Sequence, residues 1–229
     1  MNKLLLLFLL LGSSTFADAQ DMAPLVNKLK AKLDQVNDYQ ATGVLKTDIA
    51  FIKAPVSRVK VFFKKPNHFR LVKDGGISIL PKGGLSVTLN NVIDLGNFVA
   101  LAAGDATVDG FAVKIVKVLP GDDANDLVLA TLYIDEKNLL VRKANITTRE
   151  NGTYDISLAY GKFSSYGLAD KVVFSFNTKN YKLPKGVTLE FDDEAKTTDA
   201  EKLKNKKGKV EITYDNYTIN KGVDDNIFK

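Results

Sequence analysis

The chain contains no cysteine, no tryptophan and a single histidine. Without cysteine there is no disulfide, no thiolate metal site and no cysteine nucleophile, so a buried core must hold the fold together. One histidine excludes histidine-rich metal sites. A Ser-His-Asp triad would have to use His68, and no Gly-x-Ser-x-Gly elbow occurs. No Walker loop and no Gly-x-Gly-x-x-Gly turn is present. Acidic residues cluster at Asp122-Asp123-Asp126, Asp192-Asp193-Glu194 and Asp224-Asp225. None has the spacing of a calcium loop, and each stands in a turn-like context. The expectation is a protein with no catalytic residues, no metal and no cofactor.

Long hydrophobic runs are also missing, with one exception. "MNKLLLLFLLLGSSTFADAQ" carries Lys3, an apolar core from Leu4 to Leu11, and Ala17-Asp18-Ala19 as a small-x-small cleavage site. This pattern reads as a secretory signal peptide over 1–19, and the run is too short for a bilayer span of roughly 20 residues. No cysteine stands near the cleavage site to carry a lipid. A soluble, exported, non-lipidated domain over 20–229 is expected. The formal net charge is +5. That suits anionic headgroups or an acidic partner and is too small to argue for nucleic acid.

What is present is mostly alternation. Residues 21–37 read as an amphipathic helix, with Asp21 and Pro24 suited to its start and Met22, Leu25, Val26, Leu29, Leu33 and Val36 on one stripe. From Tyr39 the period becomes two. Tyr39, Ala41, Gly43 and Leu45 share a face, and in "SRVKVFFKK" Val59, Val61 and Phe63 oppose Arg58, Lys60 and Lys64. In "VKVFFKKPNHFRLVKDGG" (59–76) Pro66-Asn67 is a turn signal and Phe69 a strand start, so His68 reads as a turn histidine, not an active site. The strand pattern returns in "GFAVKIVKVL", "DLVLATLYID", "LLVRKANITT", "YDISLAYGKF", "KVVFSFN", "GVTLEF" and "GKVEITYDNYTIN", with a parity break near Asn216 that signals a bulge. About ten strands in one domain suit a barrel or a large curved sheet.

Two segments depart from this pattern. "VTLNNVIDLGNFVALAAGD" (87–105) is apolar on both sides at helical spacing, as an enclosed core helix or a lid would be. The charged stretch 192–208 reads as a solvated insertion with a basic patch that includes Lys202, Lys204, Lys206 and Lys207.

Several of these motifs, in order, resemble the periplasmic outer-membrane lipoprotein carriers, the LolA-type proteins, and the wider LolA-LolB-like superfamily. They are Lys65-Pro66-Asn67-His68-Phe69 before a strand, "LGNFVALAAGD" (95–105) as a short apolar helix, the paired strands in "LYIDEKNLLVRKANITTRENGTYDISLAYGKF", and "KVVFSFNTKNYKLPKGVTLEF". The resemblance implies an α+β, β-dominated fold: a highly curved, unclosed antiparallel sheet, or half-barrel. An N-terminal helix and a short lid helix would enclose an apolar cavity for acyl chains.

The implied cargo is a lipoprotein or other lipid bound by a monomer in transit toward the outer membrane, with inner- and outer-membrane protein partners. The implied cavity residues are Val59, Val61, Phe63, Phe69 and Leu71 on the sheet and Leu95, Phe98, Val99 and Leu101 on the lid. Lys65 stands where the family commonly has arginine, whose fork can hold lid carbonyls. Lysine is not an equivalent donor, which puts a latch role in question. "DGGISILPKGG" replaces the family's aromatic-rich strand, and the C-terminus runs on into a further strand. The competing reading is an envelope sensor or scaffold on the same fold that binds a protein through the basic patch.

Overall fold

The computed structural model describes residues 20–48, 56–66, 68–73, 97–121, 126–150, 152–177 and 207–228. The apolar stripe at the N-terminus becomes helix α1 (Ala23–Leu33). The Asp21 carboxylate accepts from the Ala23 N–H at its start, and Pro24 occupies the first turn, where its missing N–H costs nothing. Met22, Leu25, Val26, Leu29 and Val36 are all buried.

Ten strands are described: β1 (Asp38–Asp48), β2 (Ser57–Lys64), β3 (His68–Lys73), β4 (Phe98–Val108), β5 (Phe111–Pro120), β6 (Leu127–Asp135), β7 (Leu140–Thr148), β8 (Gly152–Ala159), β9 (Lys171–Asn177) and β10 (Lys207–Ile219). They form one antiparallel sheet in the order β3-β2-β1-β10-β9-β8-β7-β6-β5-β4. The two ends of that order do not meet, so the sheet is an open half-barrel with β3 and β4 as edges. Its inner face is read across the registers. Leu71, Val61, Ala41 and Tyr217 form one row, and Phe69, Phe63 and Tyr39 another. Val210, Phe174, Ile156, Ala144, Leu132, Val116 and Ala102 continue it to the far edge. The period-two alternation seen in the sequence is this face, and α1 packs its stripe into the same core.

The parity break expected near Asn216 is a bulge. Thr42 pairs with Asn216 and Gly43 with Tyr214, so Asp215 opposes no residue on β1. Gly43 fits there because a Cβ would lie 2.4 Å from the Thr213 carbonyl oxygen, a main-chain atom that cannot swing aside. Arg58 of β2 bonds the Asp215 carboxylate.

One expectation is overturned. From Phe98 on, the expected lid helix is absent: Phe98–Val108 is edge strand β4, paired with β5, and 87–96 lie outside the described residues. The hairpin closes on Asp109-Gly110, both at positive φ (49° and 82°). Asp-Gly is the two-residue turn whose twist matches the flanking strands. That turn and the partner strand override a helical pattern built mainly of alanine and leucine, which commits to neither state on its own. "GVTLEF" (186–191) and residues 192–206 of the expected insertion 192–208 lie outside the described residues, as do the proposed signal 1–19 and Leu95; residues 207 and 208 belong to strand β10 instead.

Candidate functional site

Where the C-terminal half of α1 meets the inner face, a small apolar cavity of about 50 Å³ remains. Leu29, Leu33 and Val36 form its roof; Tyr39, Phe63, Val172, Tyr214 and Tyr217 lie on the sheet side; Leu139–Val141 and Tyr166–Ala169 close its ends. The alternation of β1, β2 and β10 puts aromatic rings here. Tyr39 stacks on Phe63 with centroids 5.3 Å apart, and Tyr217 meets Tyr39 edge-on at 5.3 Å. Two of the polar tips are satisfied by main-chain carbonyls. The Tyr217 hydroxyl donates to the Ala169 carbonyl (2.8 Å), and the Tyr160 hydroxyl donates to that of Val141 (2.9 Å). Burial pushes the tyrosines 160, 214 and 217 above the usual phenol range, so they remain neutral and the wall stays apolar.

Polar groups collect on the rim. Lys65, after β2, donates from Nζ to the Asp34 carbonyl (2.8 Å) and carboxylate (2.9 Å) at the end of α1. Its own N–H donates to the Asn37 carbonyl. Lys30 reaches the other Asp34 oxygen at 3.1 Å. Burial acts to raise the Asp34 carboxyl, but bonds from Lys65 and Lys30 outweigh it and hold the group below the usual carboxylate range. Asn220, after β10, brackets the turn that follows α1: its amide donates to the Gln35 carbonyl and its oxygen accepts from the Asn37 N–H. Across the rim, the Lys32 ammonium donates to the Asn138 carbonyl (2.7 Å) in the β6–β7 turn.

The sequence-derived candidates separate clearly. Val59, Val61, Phe63, Phe69 and Leu71 share the inner face; the first three are buried and the last two half-buried against the core. Of the five, Phe63 touches the cavity. Phe98 packs against the core, but Val99 and Leu101, one residue out of phase on a strand, lie on the opposite face; Val99 is 52% exposed. The helix over this cavity is therefore α1. Lys202, Lys204 and Lys206 lie outside the described residues, as does the side chain of Lys207, while Lys209 pairs with Glu211 (3.5 Å). His68 is exposed, 5.3 Å from the Phe228 ring.

Sequence reading missed the buried pair behind the β6–β7 turn. Arg142 (6% exposed) donates from Nη2 and Nε to Asp135 Oδ2 (3% exposed) at 2.7 and 3.3 Å. An aspartate before "EKN" that accepts from the main chain three residues on, with an arginine in the next strand, was the available signal.

The described residues thus form an open antiparallel half-barrel with amphipathic helix α1 packed on its inner face and a small void at the contact. No protein-family model and no curated protein matches the chain. Solved structures do. A DUF1329 family protein from Desulfovibrio piger aligns with a TM-score of 0.58 at 13% identity, over 92% of this chain and 98% of that one. A putative outer membrane lipoprotein-sorting protein domain from Vibrio parahaemolyticus gives 0.54 at 12%, over 90% and 95%. A LolA superfamily protein from Nitrosomonas europaea gives 0.51 at 9%, over 89% and 97%. At these identities the likeness is one of fold, and the chain has the LolA-type fold along nearly its whole length.

Proposed function

We propose that this protein is a periplasmic carrier that shelters the acyl chains of lipoproteins or other lipids during transfer toward the outer membrane. The observation that carries the reading is the apolar cavity at the joint of α1 and the inner face. About 50 Å³ admits a few water molecules and no acyl chain. Cargo must therefore displace the roof. Magnitudes favour that exchange. Roughly a dozen methylenes, at about 0.8 kcal/mol each, contribute about 10 kcal/mol on burial, whereas uncovering Leu29 and Val36 costs about 3–6 kcal/mol. The apolar stripe of α1 thus holds the empty form closed, and cargo competes for the same surface. The neutral tyrosines, with the Tyr160 and Tyr217 hydroxyls hydrogen-bonded, lower the polar penalty that the wall imposes on a hydrocarbon.

The test is native mass spectrometry of protein purified without detergent, followed by titration of delipidated protein with the neutral dye N-phenyl-1-naphthylamine. Copurified acylated species and saturable dye uptake, reversed by added lipid, are expected. Absence of both refutes the reading.

A further inference from the structure

The rim of the cavity is not charge-balanced, and this says something about the cargo. The guanidinium of Arg142 is held flat: Phe111 covers one side with its ring centroid 3.5 Å away, and the cavity-wall ring of Tyr160 lies 5.5 Å off. Both described hydrogen bonds, from Nε and Nη2, go to one oxygen of Asp135. Nη1 has no partner among the described residues, and Asp135 spends its remaining capacity on the Asn138 side chain and N–H. Arg142 is the extra residue of a bulge, since Val141 pairs with Ile134 and Lys143 with Tyr133. Val141 and Tyr160 line the cavity while Arg142 does not, so the guanidinium stands just behind the wall, next to Val141 in the chain and 5.5 Å from the Tyr160 ring. Lys32 closes the group from the α1 side through Asn138, and the next residue on the helix, Leu33, is roof. Two cations therefore face one carboxylate. The turn's other charges, Glu136 and Lys137, are exposed and cancel. Arg142 and Asp135 together push and pull on Lys32, but burial is the largest influence and lowers its pKa, as expected of an ammonium lacking a full counter-charge.

We infer that the site takes anionic amphiphiles, with the acyl chain in the cavity and a carboxylate or phosphate at Arg142 and Lys32. This rests on the carrier reading and narrows it. An arginine already flattened and desolvated loses little freedom when it meets a planar or tetrahedral oxyanion, and Nη1 supplies the free donor. The missing negative charge comes from the ligand.

The experiment compares three probes with the same chain: oleate, oleoyl lysophosphatidate and uncharged oleyl alcohol. Wild type should bind at least one anion about tenfold more tightly than the alcohol, the discrimination of one charge-assisted hydrogen bond. Whether oleate or lysophosphatidate is preferred distinguishes a free fatty acid from a phospholipid source. Arg142→Gln should remove the preference and leave the alcohol within about twofold. Lys32→Gln, on the half-exposed side of the helix, gives the same test if the buried variant does not fold. Asp135→Asn, which releases the arginine, should increase the preference. Equal binding of anion and alcohol by wild type, or parallel loss of both in Lys32→Gln, overturns this inference and leaves the carrier reading intact. Failure of all three probes to bind overturns both.

Discussion

The two ends of α1 are held differently. At its N-terminal end the main chain does the work: Met22 N–H donates to the Ala100 carbonyl, Ala102 N–H donates to that of Gln20, and Asp21 bridges Leu101 on edge strand β4. Leu25 and Val26 beneath it are almost wholly excluded from solvent. At the C-terminal end most ties are side chains, those of Lys32, Lys65 and Asn220, and beneath them lies the cavity. Main-chain bonds over a dry core make a fixed edge. Partly exposed ion pairs over a void make an end that yields at small cost. On the carrier reading proposed above, cargo would enter at the Lys32–Lys65 side of the helix.

The strongest way to break it is to cut the roof at two depths. Leu29 is 1% exposed and Leu33 is half-buried. Leu29→Ala should lower unfolding free energy by about 2–5 kcal/mol, and Leu33→Ala by no more than about 1.5 kcal/mol while increasing dye uptake. Chemical denaturation with parallel titration measures both. Equal destabilisation would show that the helix has no soft end.

A smaller effect is expected at Lys65. Its ion pair with Asp34 leaves the two side chains 34% and 45% exposed, so Lys65→Met should cost at most about 1 kcal/mol. Hydrogen exchange should rise at Asp34 through Asn37 and stay unchanged at Met22 through Val26.

The smallest effect is on acid stability. Asp34 and Asp135 both have lowered folded-state pKa values. For each, burial opposes the shift. Lysine bonds outweigh it at Asp34, and Asn138 and Arg142 outweigh it at Asp135. The unfolded state therefore binds protons more tightly. Their stabilisation is fully present above the ordinary value of 3.8 and disappears as pH falls through the lower folded values. Thermal unfolding followed below that pH should show a drop that is reduced in Lys65→Met.

Several of these features were legible in the chain. The inner face from Tyr39 to Leu45 and from Val59 to Leu71 follows from alternation, because burying one face of a strand fixes every second residue. The bulge at Asp215 showed as a break in that parity. Strand β4 did not show, because "FVALAAGD" satisfies helix and strand periods alike. The Asp109-Gly110 turn that decides between them stood just beyond the apolar run. The rim cluster was hidden for a different reason. Lys32, Asp135 and Arg142 are ordinary in their own neighbourhoods, and one helix end, one turn and one bulge must be assembled before the charges meet.

The place of β10 has a consequence for how the molecule is made. Among the described strands the last, β10, lies between β1 and β9, so it alone of them joins the first three to the other six. Until residues 207–219 are available, β1 has no neighbour on that side and the half-barrel remains two separate ribbons. Pairings of such long sequence separation form slowly. On the periplasmic reading proposed above, a chain crossing N-terminus first would stay threadable until residues 207–219 had crossed, and would close only on the far side.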